Sequence, residues 1–350
     1  MDFRKKTWTT HHWTRGGCIY GIMPCNGLIY APQHPCACYL EAKLSGFNAL
    51  APASESRAVP KEIPESERLQ HGPAYDTPID PSTLAVDPAR QWPTYRHDAA
   101  RSGSTSAAVA PELERSWQTE LGGKLSSVVV AEGKLLVAQV DRHTVHALDA
   151  ASGEKIWSYT TGGRVDSPPT IYQGRALFGS ADGHVYCLRI ADGKLIWRYR
   201  AAPQDLQMTS FEQLESVWPV HGNVLVQDDV VYCVAGRSMF LDGGLRLLRL
   251  DPATGRLLSE TVLGETEEAT GKDMHEYVSW LNMPPALPDV LSSDGRLVYM
   301  RSQPFELDGT RLPLEAMPYT NDANFGFGTK PPKQRAEHAH LFCPTGLLDD

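Results

Sequence analysis

Ala147-Leu148-Asp149-Ala150-Ala151-Ser152-Gly153-Glu154-Lys155-Ile156-Trp157 is answered 40 residues later by Cys187-Leu188-Arg189-Ile190-Ala191-Asp192-Gly193-Lys194-Leu195-Ile196-Trp197, and Trp117 stands 40 residues before Trp157. The intervening segments keep the same register. Gly122-Gly123 answers Gly162-Gly163, Val145 answers Val185, Leu148 answers Leu188, and Gly133 sits near the place of Gly174. A period near 40 residues is the signature of a four-stranded propeller blade. The residues inside one unit read the same way. Ser167 to Tyr172 is extended, Gly174 turns it, Ala176-Leu177-Phe178 returns, Asp182-Gly183 turns again, His184 to Leu188 runs forward, and Asp192-Gly193 leads into Leu195-Ile196-Trp197. Gly beside Asp supplies the positive φ of a tight hairpin. Four such strands bury neither face alone, so neighbouring units must stack, and a large aromatic at a fixed place in the outer strand fills the seam.

The pattern fades outward from residues 117–200. Asp229 to Tyr232 and Leu248 to Gly255 form a third unit in which Ser259 takes the tryptophan place, and Ser293-Asp294-Gly295 opens a fourth. The reading places blades near 117–156, 157–200, 216–263 and 285–350, within a repeat region of 92–350. Asn26-Gly27-Leu28-Ile29-Tyr30 and Asn48-Ala49-Leu50 make residues 1–50 the remnant of an earlier blade with a cysteine cluster. Residues 51–91 hold seven prolines with little apolar periodicity and read as a linker or surface crossing. Gln204 to Val217, with Leu206, Phe211, Leu214 and Val217 tending to one side, is the one expected helix, inserted between blades two and three.

Composition narrows the function classes. The 350 residues carry a net charge of −9, 29 Gly, 26 Pro, 8 Trp and 13 Tyr. Scattered cations in an acidic chain offer no basic stripe for phosphates, which argues against nucleic acid as a partner. The longest apolar runs fall well short of the roughly 20 residues of a membrane-spanning helix. Met1-Asp2-Phe3-Arg4-Lys5-Lys6 precedes no apolar stretch of the kind an export signal needs. Both ends read as cuts through a larger protein, so the periplasm or cell envelope stays open as a location.

At the tryptophan repeats the sequence resembles the PQQ-like β-propellers of bacteria, named after the pyrroloquinoline quinone dehydrogenases. The shared pattern is Ala, any residue, Asp, two residues, Ser or Thr, Gly, three residues, Trp. Ala147 to Trp157 fits it throughout, Cys187 to Trp197 keeps Gly193 and Trp197 but has Arg189 for Asp, and Leu250-Asp251-Pro252-Ala253-Thr254-Gly255 keeps the turn and loses the Trp. The Asp closes a turn on its own backbone and the Gly takes the left-handed position. Trp92 to Gly103 looks like the opening strand of such propellers. Ala235 to Gly244 and the block Gly17 to Pro52 resemble segments of large envelope-associated bacterial proteins with this fold, and there is a fold-level likeness to the outer membrane protein assembly factor. The resemblance implies an all-β propeller of four-stranded blades, incomplete in this chain, in which Asp149, Gly153, Trp157, Gly193, Trp197, Asp251 and Gly255 are structural.

For function, the resemblance implies two readings. Family members that are dehydrogenases use eight blades, quinone beside Ca²⁺ or a lanthanide, an Asp base and adjacent cysteines. This chain has no Cys-Cys pair and four or five recognisable blades. The expectation is therefore a non-catalytic binding or protein-assembly scaffold of the cell envelope without a cofactor, since fold does not carry function with it. A quinoprotein dehydrogenase oxidising alcohols or sugars, with PQQ and Ca²⁺, is the alternative. The candidate ligand loop is Arg237 to Gly244, where Arg237, Ser238 and Asp242 either meet a protein or small polar ligand or close a long hairpin, with Arg237 and Asp242 able to pair. Cys18, Cys25, Cys36 and Cys38 cluster with His34, and their spacing matches neither a zinc pair nor a haem site, leaving disulfides, buried thiols or a metal open. His338-Ala339-His340 is a strand pattern before it is a metal pair. His143, His146 and His184 fall at strand or turn places of the repeats, and no P-loop, dinucleotide fingerprint, nucleophile elbow or H-E-x-x-H occurs.

Overall fold

The computed structural model describes residues 91–266, 290–301 and 303–313, with shorter earlier stretches, chiefly 21–32, 47–52 and 62–79. The described chain is almost wholly antiparallel sheet. β1 (Met23–Cys25), β2 (Leu28–Ala31) and β3 (Asn48–Leu50) form a three-stranded sheet. α1 (Glu65–Arg68) is a single turn running into β4 (Leu69–His71). Three four-stranded units follow. The first is β5 (Val129–Ala131), β6 (Lys134–Gln139), β7 (Thr144–Asp149) and β8 (Lys155–Thr160). The second is β9 (Thr170–Tyr172), β10 (Arg175–Gly179), β11 (His184–Arg189) and β12 (Leu195–Arg200). A hairpin, β13 (Gln207–Ser210) and β14 (Gln213–Ser216), precedes the third, β15 (Leu225–Gln227), β16 (Val230–Ala235), β17 (Leu245–Leu250) and β18 (Leu257–Leu263). β19 (Ser292–Ser293), β20 (Leu297–Met300) and β21 (Gln303–Glu306) open a fourth. Each unit is a meander, so its strands lie in chain order.

The repeat is atomic as well as sequential. A register shift falls at Ala147/Leu148, Cys187/Leu188 and Arg249/Leu250, one step before the turn into the outer strand of each unit. That turn is closed in all three by the same pair of backbone bonds, as in Gly153 N to Asp149 O and Asp149 N to Glu154 O. Asp149 Oδ1 accepts from Ala151 N, Ser152 N and Ser152 Oγ, and Asp251 Oδ1 accepts from Ala253 N, Thr254 N and Thr254 Oγ1. In the second unit the carboxylate has moved along the turn. Asp192 accepts from Lys194 N and pairs at 2.6 Å with Arg189, which stands at the Asp place.

The seams explain the tryptophans. Trp157 Nε1 donates to Ile190 O (2.8 Å) and Trp197 Nε1 to Pro252 O (3.1 Å), each in the turn of the next unit, while Trp117 Nε1 reaches Ala150 O in the same way. Each indole lies flat against the glycine of that turn. A Cβ on Gly193 would fall 2.6 Å from Trp157, and one on Gly255 2.5 Å from Trp197; Gly153 faces Trp117. The fourth seam is polar: Ser259 Oγ and Arg249 Nη1 donate to Asp308 O, and Thr261 Oγ1 donates to Gly309 O. Three apolar clusters fill the spaces between units, one around Trp197, Tyr199 and Trp218, one around Phe178 and Tyr186, and one around Tyr232 and Phe305.

Three expectations change. Residues 94–103 are turns, not an opening strand; Trp92 alone pairs as a strand would, with Val130. This segment instead crosses the inner strands. Pro93 O accepts from Ile171 N, Thr94 Oγ1 donates to Asn223 Oδ1, and Ala99 O accepts from Ser293 N, so it touches every unit in turn. Gln204 to Val217 is the β13–β14 hairpin, not a helix, closed by Phe211 and Glu212 at φ +50° and +63°. In a strand Gln213 and Glu215 share a face, whereas in a helix they would point roughly 200° apart. Both reach inward, Gln213 to His143 and Glu215 to Arg164 and Arg237. The expected linker contributes β4, a fifth strand on β12, and buries Arg68 against Arg200 O, Ala201 O and Glu260.

Gly122 and Gly193 both have positive φ, but a Cβ on Gly122 meets nothing within 4 Å. Gly122→Ala is expected to cost the left-handed penalty alone, about 1–2 kcal/mol. Gly193→Ala adds displacement of the Trp157 indole and is expected to lower the urea midpoint further. Equal midpoints for the two variants would remove the seam from the account of stability.

Candidate functional site

The segments that join one unit to the next, and those between the second and third strands of each unit, emerge at the same end of the sheets. At this end the repeat is broken most. Between β12 and β15 the chain spends 24 residues, 201–224, and folds the β13–β14 hairpin out of them. The hairpin is anchored from below and apolar above. Glu215 is fully buried and accepts from Arg164 Nε on one side and, at 2.7 Å, from Arg237 Nη2 on the other. Burial pushes the Glu215 carboxyl up, and the two guanidinium groups more than reverse this, leaving it below its ordinary range. The Phe211 ring lies 4.2 Å from the Arg164 guanidinium carbon. Outward, Phe211 and Leu214 are 71% and 62% exposed, with Leu206 and Met208 beside them.

The loop 236–244 lies on the inner flank of this hairpin. Arg237 does not pair with Asp242. Its guanidinium goes to Glu215, Ser216 O and Ser210 Oγ, because the strand register of β14 brings a buried carboxylate within reach and Asp242 stays out of ion-pair distance. Ser238 Oγ accepts from Phe240 N and so serves the turn. Asp242 adopts φ +53°, its carbonyl accepts from Trp218 Nε1 at 2.8 Å, and burial pushes its carboxyl up, against the pull of Arg237.

Nearer the axis a cavity of about 420 Å³ is lined by Tyr95, Ser127, Asp166, Pro168, His221 and Val290, among others. Asp166, before β9, accepts from His221 Nδ1 at 2.7 Å and from Gly222 N at 3.2 Å, both before β15. Burial raises the Asp166 carboxyl, and the bonds and charge of His221, with Gly222 N and Arg164, bring it net below its usual value. Sequence reasoning missed Glu215, Asp166 and His221. Arg164-Val165-Asp166-Ser167 and Val220-His221-Gly222-Asn223 occupy the same place before consecutive first strands, a position relative to the repeat that was the available signal.

The other candidates separate. Asp149, Gly153, Trp157, Gly193, Trp197, Asp251 and Gly255 lie in the outer turns and seams, away from this end. Cys25 is an exposed free thiol in β1, while Cys18, Cys36, Cys38, His34, His338 and His340 lie outside the described residues. His143 bonds Gln213, His146 bonds Ser158 and Gln139, and His184 sits beside Asp182. A quinone with Ca²⁺ does not fit the described residues. The described lining of the cavity offers one carboxylate, Asp166, both of whose oxygens are engaged, and among the described residues no three His, Cys, Asp or Glu groups gather as metal ligands.

Residues 99–303 match the family described as outer membrane protein assembly factor BamB. The chain is 28% identical over 114 residues to an outer membrane protein assembly factor BamB of Burkholderia pseudomallei (strain K96243), covering 32% of this chain and 30% of that protein. It is 26% identical over 176 residues to one of Yersinia pestis, covering 47% and 42%. It thus spans less than half the length of these relatives. A solved structure of quinohemoprotein alcohol dehydrogenase from Comamonas testosteroni is similar with a TM-score of 0.49 at 17% identity, over 69% of this chain and 43% of that one.

Replacing Glu215 by Gln leaves Arg164 and Arg237 without their shared counter-charge, a change expected to cost about 3–5 kcal/mol. Because the folded-state pKa of Glu215 is lowered, its contribution is complete above the unfolded carboxyl range and is lost as pH falls through the folded value. Urea unfolding of wild type and Glu215→Gln should therefore differ most at neutral pH and converge on acidification. A difference independent of pH would rule out the ion-pair account.

Proposed function

The chain belongs to the outer membrane protein assembly factor BamB family, and from that premise we propose that it is a non-catalytic protein-docking scaffold of the bacterial cell envelope, working through the end of the propeller that carries the β13–β14 hairpin. One observation carries the reading: Phe211 and Leu214 project into solvent from a two-stranded hairpin that is pinned by a buried Arg164–Glu215–Arg237 ion triad. A two-stranded hairpin is marginal by itself. Here it is held in one position by charges that require its register, so the apolar residues are presented rather than free to collapse onto the core. Large exposed apolar and aromatic side chains on a rigid support are what protein interfaces use as anchors. The BamB relatives are named for assembly at the outer membrane, which supports an envelope location and a protein as the partner.

A photo-crosslinking residue placed in turn at positions 211, 214, 156 and 262 of the intact protein in its own cells tests this. Ile156 and Val262 are exposed apolar residues on outer strands, away from the hairpin. A single envelope protein captured at 211 and 214 and absent at 156 and 262 is the expected outcome. Equal capture at all four positions, or none at the hairpin, would end the proposal. Leu214→Ser should reduce that capture about tenfold or more while leaving the unfolding free energy within about 0.5 kcal/mol, since Leu214 is an exposed surface position.

A further inference from the structure

The β13–β14 hairpin leaves one row of backbone groups without a use. Phe211 and Glu212, both at positive φ, make a two-residue turn. The residues that flank such a turn, here Ser210 and Gln213, face each other as a hydrogen-bonded pair, and bonded and non-bonded pairs alternate from there. Two printed contacts fix the same phase from the other end. Val217 N donates to Leu206 O at 3.0 Å, and Ser216 N turns away from β13 to donate to Ala181 O at 2.8 Å. Gln207 and Thr209 therefore hold the non-bonded places of β13. Their N–H and C=O groups point away from β14, and among the described residues nothing takes them. Both residues are exposed.

An open strand edge recruits another strand unless it is covered or blunted by charge, proline or a bulge. Other outer strands of this chain show those devices. β12 is covered by β4, and β18 by the turn at Asp308 and Gly309. β8 carries Lys155, β21 carries Pro304 and β1 carries Pro24. β13 reads Gln207-Met208-Thr209-Ser210, with no charge, no proline and no break in its register. Nor is it a loose edge. Gln213 on His143, and Glu215 on Arg164 and Arg237, hold β14 and thereby the strand paired to it. Thr209 stands opposite Leu214 in a non-bonded pair, where side chains on one face approach closest. The open row of backbone groups thus runs beside the exposed Leu214 side chain.

We propose that the partner docks by strand addition, laying an extended segment along β13 so that the N–H and C=O groups of Gln207 and Thr209 bond its backbone. The inference rests on the docking reading above and names the form of the partner at that same surface. A helix has spent its own N–H and C=O groups on itself and cannot use this row, whereas an extended backbone can. The residue of the added strand opposite Thr209 falls on the same face as Thr209 and Leu214, so an apolar side chain there completes a row across three strands. The partner is therefore an extended segment of an envelope protein with an apolar residue at that place: main-chain bonds give it affinity, and the contact with Leu214 gives it register.

The test keeps the intact protein in its own cells, with a photo-crosslinking residue at position 214. Thr209→Pro and Gln207→Pro each delete one N–H of the open row and no bond of the hairpin, while Thr209→Ala keeps the backbone intact. Capture is expected to fall about tenfold or more in both proline variants and to stay within about twofold in Thr209→Ala. Met208→Pro removes an N–H that points at β14 and serves as the urea-midpoint reference for a broken hairpin. Capture that persists in proline variants with a wild-type midpoint overturns strand addition and leaves the docking reading standing. Absence of capture in the otherwise wild-type chain overturns both. If the proline variants match the Met208→Pro midpoint, a second measurement decides. The crosslinker is moved to 207 and then to 209, and the captured residues are mapped by mass spectrometry. Captured sites two residues apart on one segment are expected from a strand. Sites three or four apart, as on a helix, or on separate segments, overturn the proposal, and capture of a second copy of this chain overturns its choice of partner.

Discussion

An indole lying against a glycine is the contact on which the propeller depends. A sheet of four short strands has two apolar faces and no partner within itself, so its stability is that of its seams. At the turns of the first three units the seam is made by one tryptophan that buries about 150–250 Å², worth roughly 4–6 kcal/mol at about 25 cal/mol per Å². That gain requires the facing turn to have no Cβ. The left-handed φ of Gly153, Gly193 and Gly255 and the flat approach of Trp117, Trp157 and Trp197 are therefore one constraint seen from two sides. The indole N–H fixes the ring's rotation by bonding a carbonyl of that same turn, so the seam sets position as well as stability.

The axis is held by a second device. Residues 92–101 thread across the inner strands and give each unit in turn a backbone or hydroxyl partner, from Val130 through Ile171 and Asn223 to Ser293. First strands of three residues or fewer have little ladder of their own to spend, and this crossing segment supplies the missing partners. Its cost is Arg101, a cation enclosed with carbonyl and hydroxyl acceptors in place of a counter-ion. Seams fix neighbours against each other, while the crossing segment fixes all of the units against one line.

The fold was legible because the seam constraint is written in spacing. Tryptophans 40 residues apart and glycines four before them survive even where the rest of the turn changes, as in the exchange of Asp for Arg189 with a compensating Asp192. The hairpin was misread for a physical reason. Leu206, Phe211, Leu214 and Val217 match a helical face loosely, but Glu215 carries a constraint that local periodicity does not contain, since its partners Arg164 and Arg237 are 51 and 22 residues away. The same holds for the Arg237–Asp242 pair. Proximity in sequence favoured it, and a buried carboxylate on another element won. The axial Asp166–His221 contact joins residues 55 apart and has no sequence motif at all. It becomes visible only once consecutive units are laid on one another.

The two ends of the sheets are consequently under different physical constraints. The outer turns of the first three units require glycine and a short closed geometry, because an indole rests on each of these three. The joining segments at the other end meet no such requirement. The segment between β8 and β9 has nine residues and the one between β12 and β15 has 24, and neither disturbs a seam. Longer connections cost little entropy once their ends are fixed by the sheets. This end is where the ion triad, a projecting hairpin and an axial cavity accumulate, and the seams tolerate all three because none of them lies at the outer turns on which the indoles rest.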